Sequence, residues 1–224
     1  MSIDPLSEEY TYNSPYAFQE NKLGLGRELE GLEMVSERSK DGKSVTLTMT
    51  VKTVNNSINI SGDQFKTILD ARIQNTEKVL SGSIGDGVTV NAKVVVDPNA
   101  TLTMEFNDAL KADGVKSLEG KPAELVSDTL FSALGIVNEI GNTQENRAQV
   151  NVPANLEFDQ SGMPILDKKN IDNISRTGTH EDLHMAGLQH VGDKKNLMNR
   201  ENSGGNAVTT EQRKAIIENV EQQQ

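Results

Sequence analysis

The sequence predicts an α+β domain in which strands flank one long helix and a later helix carries histidines. Three observations lead to that expectation. Residues 44–54, SVTLTMTVKTV, alternate in polarity and are rich in β-branched residues, the pattern of a strand with one buried face. Residues 62–80 place apolar side chains at helical spacing, with strand-like runs before and after them. Residues 180–190, HEDLHMAGLQH, contain all three histidines of the chain, two of them one helical turn apart.

The elements follow in order. Residues 1–35 have no helical or strand period; turn groups at Asp4-Pro5 and Asn13-Ser14-Pro15 and glycines at 24, 26 and 31 punctuate them. They are expected to form a flexible tail ahead of a domain at 36–224. In the 44–54 strand, Val45, Leu47, Met49 and Val51 share one side, and Asn55-Asn56-Ser57 makes a turn. Ser61 and Gln64 form a capping-box signature. The helix behind it buries Phe65, Ile68, Leu69, Ile73, Thr76 and Leu80, and Gly82 and Gly85 end it. A second strand is expected at 88–96, followed by an Asp97-Pro98-Asn99 turn, and a third at 101–106.

Residues 107–142 are less regular and read as an insertion. A helix over 122–140 would put Leu125, Leu130, Leu134 and Val137 on its apolar side. Two short extended segments are expected at 148–152 and 156–158. After a loop at 203–206, Thr209 and Gln212 give another capping box. The final helix runs to about Val220 with Ile216, Ile217 and Val220 facing inward, and the last four residues are expected to fray.

Composition narrows the function. The chain has 224 residues and a formal net charge of −11, which argues against a nucleic-acid partner because phosphate attracts positive surface. It has no cysteine, so neither disulfides nor a cysteine-ligated structural zinc is available. No apolar run reaches transmembrane length, and no membrane span is expected. The first residues lack the basic start and apolar core of a signal peptide. Localisation stays open between the cytosol and export as part of something larger.

The chemistry concentrates in residues 180–198. Neutral imidazole is the commonest protein ligand for zinc. On a helix, His180 and His184 lie on one face and reach one ion together. Glu181 sits one helical step round, beside the ion, where a carboxylate can take a proton from water. Glycine tolerates positive φ and commonly stops helices. A stop at Gly187 lets the chain turn and return His190 as a third ligand. Three protein ligands and one open position describe a catalytic zinc site.

These residues read H-E-x-x-H-x-x-G-x-x-H, and the segment resembles the zinc signature of the metzincin metalloproteases. Asn196-Leu197-Met198-Asn199 resembles the downstream Met-turn of that family, with Met198 as the supporting methionine. The resemblance implies a metzincin-like zincin fold: a twisted mixed β-sheet backing the active-site helix, a Met-turn and a C-terminal helix. It also implies an edge strand just ahead of the zinc helix on which substrate pairs, one of the 148–152 and 156–158 segments. The implied activity is a zinc-dependent endopeptidase acting on a protein or peptide, with Zn2+ on His180, His184 and His190, no other cofactor, and Glu181 as general base toward a zinc-bound water. Arg200 stands where some members carry a tyrosine ligand, so no fifth ligand is implied there. The alternative is a catalytically silent, zinc-stabilised peptide-binding module.

A second resemblance lies at the start. Asp4-Pro5-Leu6 and Ser14-Pro15-Tyr16-Ala17-Phe18 are similar to elements at the end of the core of Rhs/YD-repeat proteins, which precede a variable C-terminal toxin domain. The usual Asn-Pro and Asp-Pro-x-Gly closing elements are missing. This resemblance implies the toxin tip of an Rhs-type polymorphic toxin, with an Rhs core and an immunity protein as partners.

Overall fold

A computed structural model describes residues 33–118, 121–122, 133–200 and 205–224. The Rhs-like elements lie outside the described residues, as does most of the 122–140 segment. Within the compact unit Glu33–Gln224, the chain opens with strand β1 (Met34–Arg38), which turns back antiparallel onto β2 (Ser44–Asn55). The alternation expected in β2 is observed. Val45, Leu47, Met49 and Val51 are buried, while Thr46 and Lys52 are exposed. One face of the sheet therefore carries the core.

Helix α1 (Gly62–Leu80) starts at the predicted capping box. Ser61 Oγ accepts from Gln64 N, and Gln64 Oε1 accepts from Ser61 N at 2.6 Å. The helix ends at Leu80. The next residues, expected only to stop it, form strand β3 (Gly82–Gly85), antiparallel to β4 (Val88–Val96). β4 runs parallel to β2, so α1 is the crossover of a βαβ unit. β5 (Leu102–Asn107) pairs parallel with the end of β2, and β9 (Asn146–Asn151) pairs parallel with β5. Between them come the two-residue pair β6 (Ser117–Leu118) and β7 (Lys121–Pro122) and the strand β8 (Gly135–Val137).

The main sheet has seven strands in the order β3-β4-β2-β5-β9-β8, with β1 paired to β2 beside this path. Two expectations are corrected here. Gly135–Val137 is a strand, not part of a helix, because it pairs antiparallel with β9. The 148–152 segment, as β9, has neighbours on both sides, and 157–158 belongs to a separate hairpin of β10 (Glu157–Phe158) and β11 (Pro164–Ile165). Neither is an edge of the sheet, whose path ends at β3 and at β8.

Helix α2 (Lys168–Met185) packs against α1, β8 and β9, and α3 (Thr210–Gln223) packs against β1 and β3. Both sit on the core side of the sheet. The core draws on β2, the end of α1, Leu183, Leu188, Leu197, Met198, Ile216, Ile217 and Val220. The C-terminus is not frayed as expected: Gln223 Oε1 accepts from Thr143 N and Oγ1 at 3.1 and 3.0 Å, and Arg38 pairs with Glu221 at 2.8 Å.

Candidate metal centre

α2 begins at Asp167, whose carboxylate accepts from Asn170 N at 2.9 Å. Its C-terminus is closed by a Schellman motif. Leu188 N donates to Leu183 O and Gly187 N to His184 O, both at 3.0 Å, and Gly187 takes φ +106°. A side chain at 187 would be strained in that conformation. Its Cβ would also lie 3.0 Å from Asn219 Nδ2 of α3, which donates to Ala186 O. The turn reverses the chain within three residues and brings His190 back over the helix.

The three imidazoles converge. His180 Nε2 lies 3.1 Å from His184 Nε2 and 3.0 Å from His190 Nε2, and the third separation is 3.2 Å. Among the described residues, these three form the one cluster of histidines and carboxylates able to hold a metal ion. The backbone sets their tautomers. His180 Nδ1 faces Leu197 O at 2.8 Å and His184 Nδ1 faces Leu188 O at 2.6 Å. A carbonyl only accepts, so each Nδ1 carries the proton and each Nε2 presents its lone pair to the centre. Burial and the neighbouring rings push the His180 pKa down to about 4 and that of His184 to about 3; burial also lowers His190. At neutral pH, like-signed lone pairs therefore face one another. Tetrahedral zinc at its usual distance from nitrogen needs ligand atoms roughly 3.3 Å apart. The donor set fits such an ion in element, tautomer and spacing.

The turn at 196–199 aims His180. Asn196 Oδ1 accepts from Met198 N at 2.8 Å, and Leu197 N donates to Ala207 O at 2.8 Å. Asn196 Nδ2 in turn donates to Gln212 Oε1 at 2.7 Å, so the capping glutamine of α3 also braces this turn. Met198 is fully buried among core side chains. In the sequence Asn196 showed only as the first residue of the Met-turn resemblance, and Gln212 only as half of a capping box; nothing there joined the two.

Glu181, next in sequence to His180, is buried. Desolvation raises its pKa to about 8, opposed by the charge of Arg72 and reinforced by Asp182. Its side chain lies over β8, where a Cβ on Gly135 would fall 2.8 Å from Glu181 Cγ and Oε1. β8 also presents backbone to the open edge of the sheet. Leu134 O accepts from Asn151 N at 2.8 Å and Asn138 N donates to Arg147 O at 3.0 Å, both toward β9. By strand alternation the backbone groups of Gly135 and Val137 point the other way, and among the described residues no strand pairs with them.

A second buried cluster went unread in the sequence. Arg72 of α1, fully buried, meets Asp182 through Nη2–Oδ1 at 2.5 Å and Nε–Oδ2 at 3.1 Å. Thr76 Oγ1 donates to Asp182 Oδ2 at 2.9 Å and lies 3.1 Å from Thr179 Oγ1. Room for the guanidinium comes from Gly178, whose added Cβ would fall 2.5 Å from Arg72 Cδ.

No family model matches the chain, and no curated protein matches it. Among solved structures, the crystal structure of metalloproteinase-II from Bacteroides fragilis is similar, with a TM-score of 0.43 and 10% identity over 77% of this chain and 52% of that one. This chain thus spans about half the length of that structure.

Proposed function

We propose that the chain is a zinc-dependent endopeptidase of the metzincin type, with His180, His184 and His190 holding Zn2+ and Glu181 as general base. The observation that carries this reading is the convergence of three Nε2 atoms within 3.0–3.2 Å, two of them with tautomers fixed by backbone carbonyls. Zinc, when bound, supplies Lewis-acid polarisation of a carbonyl and acidifies water toward a pKa of about 7.

The protein's own groups do the rest. His180 and His184 keep their Nδ1 protons on carbonyl oxygens and so keep their orientation. Glu181 takes a proton on its carboxylate and returns it to the leaving amine. Its buried setting raises its proton affinity, which suits a group that must hold a proton between the two steps. Substrate backbone adds along the open edge of β8, which lies against Glu181. Met198 takes no chemical step and supports the floor of the site.

The Rhs-like elements in residues 1–35 support a further part of the reading, that the 36–224 domain is the toxin tip of an Rhs-type protein with an immunity partner. The direct test of the enzyme is digestion of a mixed peptide library by zinc-loaded protein, with and without a chelator, beside Glu181→Ala. Cleavage that is lost on chelation and in Glu181→Ala, with zinc still bound at one equivalent in the variant, is the expected result. Stoichiometric zinc without cleavage by the wild-type protein would overturn the enzyme in favour of a silent peptide-binding module.

A further inference from the structure

We propose that Gly135 of β8 is a positioning residue for Glu181, its missing side chain forming the slot in which the carboxylate is held. This rests on the reading of Glu181 as the base. The argument begins with what the glycine is not for. Most glycines of the domain that sit in turns have positive φ, but Gly135 does not; its backbone suits any residue. A glycine inside a strand weakens the strand and usually marks a close approach by another group. Here that group is named by distance. A Cβ at 135 would fall 2.8 Å from both Cγ and Oε1 of Glu181, closer than real Cβ contacts come, and 3.0 Å from the carbonyl oxygen of Gln149 on β9.

Glu181 cannot easily yield. Its helix is fixed on one side by Arg72–Asp182 and at its end by the Schellman turn. The strand cannot yield freely either, because Ile136 is buried and packs with Val115. The open edge and the base are therefore held together by contact across a missing methyl group. A substrate strand laid along β8 is thereby placed at a fixed distance from the carboxylate that acts on it.

The test is a pair of double-mutant cycles. In the first, metal-free wild type, Gly135→Ala, Glu181→Ala and the double variant are unfolded in urea. Gly135→Ala should lower the midpoint, and the drop should shrink when Glu181 has already been truncated. The penalty from Gln149 O remains in both backgrounds and cancels. An equal drop in the two backgrounds would overturn the contact. This arm needs no peptidase activity, so it stands apart from the reading of the site as an enzyme.

In the second cycle, zinc-loaded Gly135→Ala should lose about a hundredfold in kcat, the cost typical of a misplaced catalytic group, at unchanged zinc content. Glu181→Asp should lower kcat in the wild-type background and restore part of it in the Gly135→Ala background, because the shorter acid clears the added methyl. Losses that simply multiply would overturn the positioning role. If Gly135→Ala alone does not fold, Gly135→Ala/Glu181→Ala decides: a folded double variant supports the slot, and an unfolded one overturns it.

Discussion

Helix α2 carries two buried polar clusters of opposite logic. Asp182 is about 200° round the helix from His180, so the clusters occupy different faces. On Asp182's face every strong group meets its complement: the carboxylate takes two guanidinium bonds and one hydroxyl, and the guanidinium also lies 5.2 Å from the Phe106 ring. Within this cluster, Arg72 Nη1 has no hydrogen-bond partner among the described residues. On the histidine face, three acceptors point at one another. His180 and His184 are buried much as Arg72 and Asp182 are, so burial alone does not separate the clusters. Complementarity does. A cluster that neutralises itself holds two helices together, whereas one made of like acceptors can take up a cation.

Breaking the closed cluster should have the largest effect. Asp182→Ala leaves Arg72 charged, buried and unpaired, and should cost about 3–5 kcal/mol of stability. Urea unfolding measures it, and a loss close to zero would mean that water already reaches the guanidinium. The open cluster should respond to an ion instead. Zinc at a hundred times its Kd should stabilise the metal-free protein by about 2.7 kcal/mol. His184→Ala should abolish that gain, and the shape-conserving Asp182→Asn should retain it; a gain that survives without His184 would place the ion elsewhere.

A subtler perturbation reaches the open cluster from outside. Asn196→Ala removes the brace on the Leu197 carbonyl that orients His180 and should weaken zinc binding about 10- to 100-fold, as read by competition with a chromogenic chelator. Smallest per step is the effect of pH on the metal-free protein. The His180 and His184 pKa values fall on folding, so their contribution is present above about 6.5 and is lost as pH falls. Glu181 goes the other way: its folded pKa is raised to about 8, so its contribution is lost as pH rises from the ordinary carboxylate range through that value. Burial lowers His190 as well, so the rings outnumber the one carboxyl: stability rises with pH up to about 6.5 and falls above it by about 1.4 kcal/mol per pH unit. Thermal melts across pH 4.5–8 should peak near 6.5. A peak that stays there in Glu181→Gln, with the alkaline fall intact, would exclude Glu181 as its source.

The sequence made one of these clusters legible and hid the other. The histidines announce themselves through rarity and spacing, and Gly187 through its place after the helix. Both capping boxes, the alternation of β2 and the run of β4 were equally readable, because each depends on residues a few positions apart. Arg72 and Asp182 are 110 residues apart, and an arginine within a helical pattern normally reads as a solvated face. β8 was hidden for a similar reason. Three residues, Gly-Ile-Val, have too little pattern to declare a strand, and only pairing with the distant β9 makes them one. Gly135 carried no signal in the sequence, because the side chain that crowds it, Glu181, lies far along the chain.

The bracing of the 196–199 turn by Gln212 also bears on how the chain is made. The histidines leave the ribosome before the glutamine does, so a nascent chain carries its donor atoms ahead of the helix that aims them. His180 therefore takes its aim only after Gln212 has emerged and folded back.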